Sequence, residues 1–174
     1  MPKTKITGFW TFFCNPKFWA VDEFLLNIRP NFVSEYRITS WQKNHYEKGQ
    51  LGVIRVGIDG RNQTQLNGRI KLERGIYAIV EIIGSPVPQV KAKSGFKIEH
   101  QKGELGRFVV PIKYIRNYIE SPVLFSDIEN DIVIRSDSYL LKGLQAASIP
   151  LLEDVFNRVL LYGEENSKDE MTSF

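Results

Sequence analysis

An α+β fold, a small mixed β-barrel flanked by a few short helices, is what this chain predicts, and three observations carry that reading. Five runs rich in β-branched and aromatic residues are separated by Gly and Pro punctuation. Only two stretches show helical spacing, too few for a doubly wound parallel sheet. The 174 residues, 43% of them apolar and 25% charged, suit one domain with a sizeable core. We expect that domain to occupy residues 1–162.

The first predicted strand spans 7–15 and ends at Asn15-Pro16, because Pro16 lacks a backbone donor and biases Asn15 away from helix. A helix over 21–28 places Phe24, Leu25 and Ile28 on one face, with Asp22 and Glu23 near its positive end. Strands follow at 33–41, 51–58, 75–84 and 106–115, and a short one at 131–135. Pro150 reads as the first residue of a second helix that carries Val155, Phe156 and Val159 inward and is capped by Gly163. Two long polar interruptions, 59–74 and 85–103, exceed what a compact domain keeps without use, although either also reads as a plain insertion.

The net charge of +3 conceals an asymmetry. The segment 163–174 holds Glu164, Glu165, Asp169 and Glu170 against one lysine, and it reads as a disordered acidic tail that leaves the body at +6. Lys91, Lys93, Lys97, Lys102, Arg107, Lys113 and Arg116 crowd one stretch, a pattern compatible with a polyanion or with a solvated surface. Nothing in the sequence has the length and apolarity of a membrane span, no signal-peptide core opens the chain, and the single Cys14 lies among aromatic residues. A cytoplasmic protein with a buried thiol is expected.

Catalytic patterns do not emerge. His45 and His100 are the only histidines, Cys14 falls in an apolar strand, and no Cys/His cluster has zinc spacing. The alternating Asp127, Glu129 and Asp131 lack the glycine and closing Glu of a calcium loop and read as a solvated turn. We expect no enzyme and no cofactor.

The order of the motifs is more specific than any one of them. An aromatic strand ending Cys14-Asn15-Pro16 leads through a short helix to Tyr36-Arg-Ile-Thr-Ser-Trp41. Lys48-Gly49-Gln50 then precedes Leu51-Gly-Val-Ile-Arg55-Val-Gly57, and Gly75-Ile-Tyr-Ala-Ile-Val-Glu-Ile-Ile-Gly-Ser-Pro86 follows. The chain closes with Leu141-Lys-Gly-Leu-Gln145-Ala-Ala-Ser-Ile-Pro150 before an amphipathic helix. Over residues 7–162 this succession resembles the EVE domain family, PUA-like barrels related to YTH domains. It departs from the family at Gln50, where an Asp is usual, and at Gln145-Ala146-Ala147, where Gln-Gly-Thr is frequent.

The resemblance implies a non-catalytic reader of a methylated or hydroxymethylated base, in DNA in preference to RNA. It also implies a link to microbial defence or restriction and to a separate nuclease or ATPase effector. A protein-interaction subunit and a PUA-like RNA binder are the alternatives.

A base inside a duplex cannot be read on all edges, so a reader must extrude it, at a cost of roughly a few kcal/mol, or bind single strands, and stacking on aromatic rings returns about 1–3 kcal/mol per base. Trp41 and Trp19 are the expected walls of such a pocket. Thr39, Ser40 and Asn15 would offer hydrogen bonds to the base edge, and Arg55 would approach the pocket or a phosphate. Lys91, Lys93, Lys97, Lys142 and Gln145 would hold the backbone. Each has a structural alternative: Trp19 as a plug in the barrel end, Trp41 as a surface-packed ring, Asn15 as a turn former, and Arg55 as a partner for Glu81. Trp10, with apolar neighbours throughout, is assigned to the core.

Overall fold

A computed structural model describes residues 5–89 and 108–172. In chain order the elements are β1 (Phe9–Cys14), α1 (Val21–Asn27), β2 (Val33–Arg37), a 3₁₀ turn (Ser40–Gln42), β3 (Leu51–Val56) and α2 (Gln63–Leu66). There follow β4 (Gly75–Ile82), β5 (Val87–Pro88), β6 (Phe108–Asn117), β7 (Val123–Leu124), α3 (Phe125–Ile128), α4 (Ile132–Arg135), β8 (Ser148–Pro150) and α5 (Glu153–Thr172). The strands form one mixed sheet, curled into a half-barrel, with the path β2-β6-β4-β3-β1-β8. Its parallel pair is β1 with β3, and the path's other pairs are antiparallel.

Both faces of the central strands are covered, which explains the near-continuous apolar runs of β3 and β4. Inside the curl, Trp10, Phe12, Ile54, Val80, Ile112 and Tyr114 form one core. On the other face Val53, Ile76 and Ile79 pack with Phe156 and Val159 of α5. Trp10 is a core residue, as expected: its ring stacks on Tyr46 at 3.9 Å and its indole Nε1 donates to Gln50 Oε1 at 2.8 Å. Cys14 is buried too, and that burial pushes its thiol pKa up, against a smaller opposing influence of Arg61.

Three expectations are corrected here. Residues 132–135 form a helix rather than a strand, because Asp131 Oδ1 accepts from the backbone N–H of Val133 and Ile134 and caps it. A local cap thus overrides the β-branched composition of Ile132-Val133-Ile134. Pro150 does not start the last helix. It ends β8, paired opposite Trp10 at the sheet edge, where a missing N–H does no harm, and α5 begins at Glu153. Gly163 is not a cap either. The helix runs through it to Thr172, so the segment read as a disordered acidic tail is helical that far. A Cβ on Gly163 would fall 2.3 Å from the Tyr118 ring, so glycine serves close packing there.

Asp131 ties α4 to α5 as well. Its Oδ2 accepts from Arg158 Nε at 2.8 Å and from the Tyr162 hydroxyl at 2.5 Å. The Tyr162 bond, then the Arg158 bond, draw its pKa from 3.8 down to about 2. A depressed carboxyl pKa adds stability above the unfolded value that disappears as pH falls through the folded one. Stability should therefore drop between about pH 4 and pH 2. Urea unfolding across that window should show a flatter dependence for Asp131→Asn than for the parent, and equally steep curves would refute the assignment.

The polar excursion after β3 is held by a buried ion cluster. The Arg61 guanidinium, fully buried, meets Asp59 Oδ2 at 2.6 Å and Asp59 Oδ1 at 2.9 Å. It also meets Asp22 Oδ1 at 2.9 Å and Oδ2 at 3.2 Å, on α1. Asp59 further accepts from Leu72 N at 2.9 Å, closing the excursion on itself. Burial acts to raise the Asp59 pKa, but the hydrogen bonds from Arg61 and Leu72 outweigh it and the net shift is downward.

Candidate nucleic-acid interface

The candidate rim lies where β1 stops, after Cys14. Asn15 turns the chain: its Oδ1 accepts from Lys17 N at 3.0 Å, and its carbonyl accepts from Phe18 N at 3.0 Å and Trp19 N at 3.2 Å. That is the work of a turn-forming Asn. The reversal brings Trp19 back against the core, where it packs on Phe24 and meets Tyr36 edge-on at 5.8 Å. The Tyr36 hydroxyl in turn donates to the Phe13 carbonyl at 2.9 Å, fastening β2 to β1 beside the turn.

A buried polar knot fixes the segment after β2 to the start of β8. Gln42 Nε2 donates to the Ser148 carbonyl at 3.2 Å, while Ser148 Oγ donates to Gln42 Oε1 at 2.6 Å. Thr39 Oγ1 donates to the same carbonyl at 3.3 Å. Phe13 N bonds Ala147 O at 3.0 Å, so the loop before β8 borders the end of β1. These bonds fasten Thr39 and Gln42, which flank Ser40 and Trp41, to Ser148, and set the segment after Gln145 beside the end of β1 that leads to Asn15.

Trp41 sits in the 3₁₀ turn rather than at the end of a strand, between the buried Gln42 and the exposed Ser40. Trp41 is 54% exposed, and among the described residues its ring neighbour is His45 at 6.4 Å. Trp19 and Trp41 share no ring partner among the described residues: one indole joins the core and the other faces solvent. The segment beyond Trp41 is locked by Gln50, whose Oε1 accepts from Trp10 and from Glu47 N while its Nε2 donates to His45 O. A carboxylate could not make that last bond, so the Gln for Asp departure has a use at this position.

Arg55 is 5% exposed and does not pair with Glu81, which meets Lys113 at 3.6 Å instead. Its guanidinium donates to the carbonyls of Leu140 and Leu141, and lies over the rings of Phe13 at 5.5 Å and Phe125 at 5.1 Å. Burial, then the neighbouring Arg74, lower its pKa to about 10. It braces the loop that carries the exposed Lys142 and Gln145. Lys91, Lys93 and Lys97 lie outside the described residues.

Sequence reasoning missed Gln42, Ser148 and Gln50 as organisers of this rim. Only Gln50 left a signal, as a departure from the family pattern. No cluster of His, Cys, Asp or Glu able to hold a metal occurs among the described residues. No helix among them is long and apolar enough to cross a membrane.

Comparison with solved structures settles the fold. A hypothetical protein from Leishmania major superposes with a TM-score of 0.62 at 12% identity, over 94% of this chain and 98% of that one. The DUF55 domain of human thymocyte nuclear protein 1 superposes with a TM-score of 0.54 at 14% identity, over 89% of this chain and 98% of that one. This chain has the EVE, or DUF55, fold. Human THYN1 solved in complex with DNA containing 5-methylcytosine matches with a TM-score of 0.53 at 13% identity, covering 90% and 97% of the two chains. No protein-family model matches the sequence, and no curated protein does. The EVE fold is thus shared through architecture at low identity, and the expected small mixed β-barrel with a few short helices takes the form of a curled half-barrel sheet.

Proposed function

We propose that this protein binds nucleic acid through a modified base, with Trp41 as the stacking face and the rim of Asn15, Thr39, Ser40 and Gln145 around it. The observation that carries the reading is a tryptophan more than half exposed on a turn whose neighbours are rigidly fastened. A large aromatic ring gains by burial, so one held in solvent by a buried polar knot is suited to stacking on a ligand. The EVE neighbour bound to DNA carrying 5-methylcytosine supports DNA as the polymer and a methylated pyrimidine as the first base to try. Trp19 serves this rim from behind, through Tyr36, and Arg55 holds the loop bearing Lys142. The reading is of a binder without catalysis. The link to microbial defence and to a nuclease or ATPase effector is supported by the sequence resemblance alone.

Titration of the purified protein with matched duplexes carrying cytosine, 5-methylcytosine or 5-hydroxymethylcytosine tests it. Tighter binding of one modified duplex is the expected result, and equal affinity for all three would overturn base reading. Tighter binding of an RNA of the same sequence would transfer the assignment to RNA.

A further inference from the structure

Two arginines meet at one backbone oxygen without a carboxylate between them. Arg55 and Arg74 both donate to the carbonyl of Leu141, and both lie over the Phe125 ring, at 5.1 and 5.5 Å. Neither forms an ion pair with a described carboxylate. The contrast with Arg61, which two carboxylates neutralise, is direct. Like charges held this close repel, and the lowered Arg55 pKa, due to burial first and Arg74 second, records it.

Packing keeps the pair in place. Gly143 adopts φ +82, and a Cβ there would stand 3.1 Å from the Arg55 guanidinium, so the loop closes tightly on it. Arg74 is exposed and opens onto a cleft of ≈ 540 Å³ whose walls include Lys71, Phe125 and Ser126. Glu73 and Glu129 line the same cleft, and Asp59 there is already paired with Arg61. An anion would therefore approach from the loop side, next to exposed Lys142. Guanidinium groups suit phosphate oxygens because their planar donors match that geometry.

We propose that the exposed Arg74, backed by the buried charge of Arg55 and framed by Phe125 and the Leu141–Gly143 turn, contacts one phosphodiester of the bound strand. The loop that presents it runs on to Ala147, which bonds Phe13 beside the base-reading rim, so both sites can engage one nucleic acid. The proposal rests on nucleic-acid binding but not on which base is read.

The test is the salt dependence of duplex binding by the full chain and by Arg74→Gln, whose amide can still donate to Leu141. Losing one phosphate contact should reduce the slope of log K against log salt by about 0.9. Affinity for modified and unmodified duplexes should fall by the same factor, on the order of three- to tenfold at low salt, with the preference between them unchanged. Arg74→Lys should restore most of the slope. An unchanged slope in Arg74→Gln would overturn the subsite, whatever becomes of base discrimination. Loss of discrimination in the parent with a reduced slope in the variant would instead defeat base reading alone. Inorganic phosphate provides a further arm: Arg74-dependent phosphate binding with an unaltered duplex slope would mark a small-anion site and refute the strand assignment. Should Arg74→Gln fail to fold, the arginine side-chain NMR signals of the unaltered protein decide. Shifts of Arg55 and Arg74 on adding an unmodified oligonucleotide support the subsite, and their absence excludes it.

Discussion

Arg61→Ala is expected to destabilise the protein by about 3–5 kcal/mol, the usual cost of removing one partner from a buried ion cluster. The side chains left behind, Asp22 and Asp59, are 6% and 1% exposed and would face each other across the vacated space. Arg69, 3.5 Å from Asp22, is committed more closely to Glu23 at 2.7 Å and is poorly placed to replace the lost charge. Domains of this size hold roughly 5–15 kcal/mol in all, so a large part of the stability is at stake. The loss should appear in urea unfolding at neutral pH. Acidification should narrow the gap between variant and parent, because Asp59, depressed in the native cluster, stabilises the fold above its unfolded pKa and that contribution is lost as pH falls. Arg61→Lys should recover only part of the loss, since an ammonium cannot bind two carboxylates bidentately. A change below about 1 kcal/mol in Arg61→Ala would mean that the excursion is held by other contacts.

Trp41→Ala should weaken binding of the modified duplex by about 1–3 kcal/mol, roughly five- to 150-fold. Folding stability should stay within about 0.5 kcal/mol, because the ring is mostly in solvent. Trp41→Phe, which keeps a smaller π face, should fall between the two. Fluorescence quenching gives a second reading: an exposed indole stacked on a base loses emission, whereas the buried Trp10 would report nothing. Undiminished affinity in Trp41→Ala would remove the ring from the site and leave the phosphate subsite to be judged separately.

These two residues show how unevenly the sequence reveals its roles. Trp41 was singled out because a Trp after Thr-Ser at the edge of a strand run is conspicuous in residue type and position, and the structure adds that it is exposed. Arg61 was not, since an arginine within a polar Gly-containing stretch looks solvated until its two carboxylates are seen to converge. Arg55 was noticed for its charge and assigned to the pocket or a phosphate, and only the structural alternative, a pair with Glu81, is excluded by the fold. The β3–β4 register sets Glu81 opposite Leu51 and Arg55 opposite Ile76, so strand pairing keeps the two charges apart.

The chain's own order of residues was enough to place the five long strands and to assign Trp10 and the Cys14 thiol to the interior, because apolar periodicity and Gly/Pro punctuation are local properties, while the EVE fold was indicated by a resemblance in the succession of motifs. Helix ends escaped it where a distant partner intervened: Tyr118 needs the bare Gly163, and β1 claims Pro150. Only the tertiary structure decided which charged groups neutralise one another and which are left together, as Arg55 and Arg74 are. Pairing depends on distances of a few ångströms between segments far apart in the chain, and no local pattern encodes them.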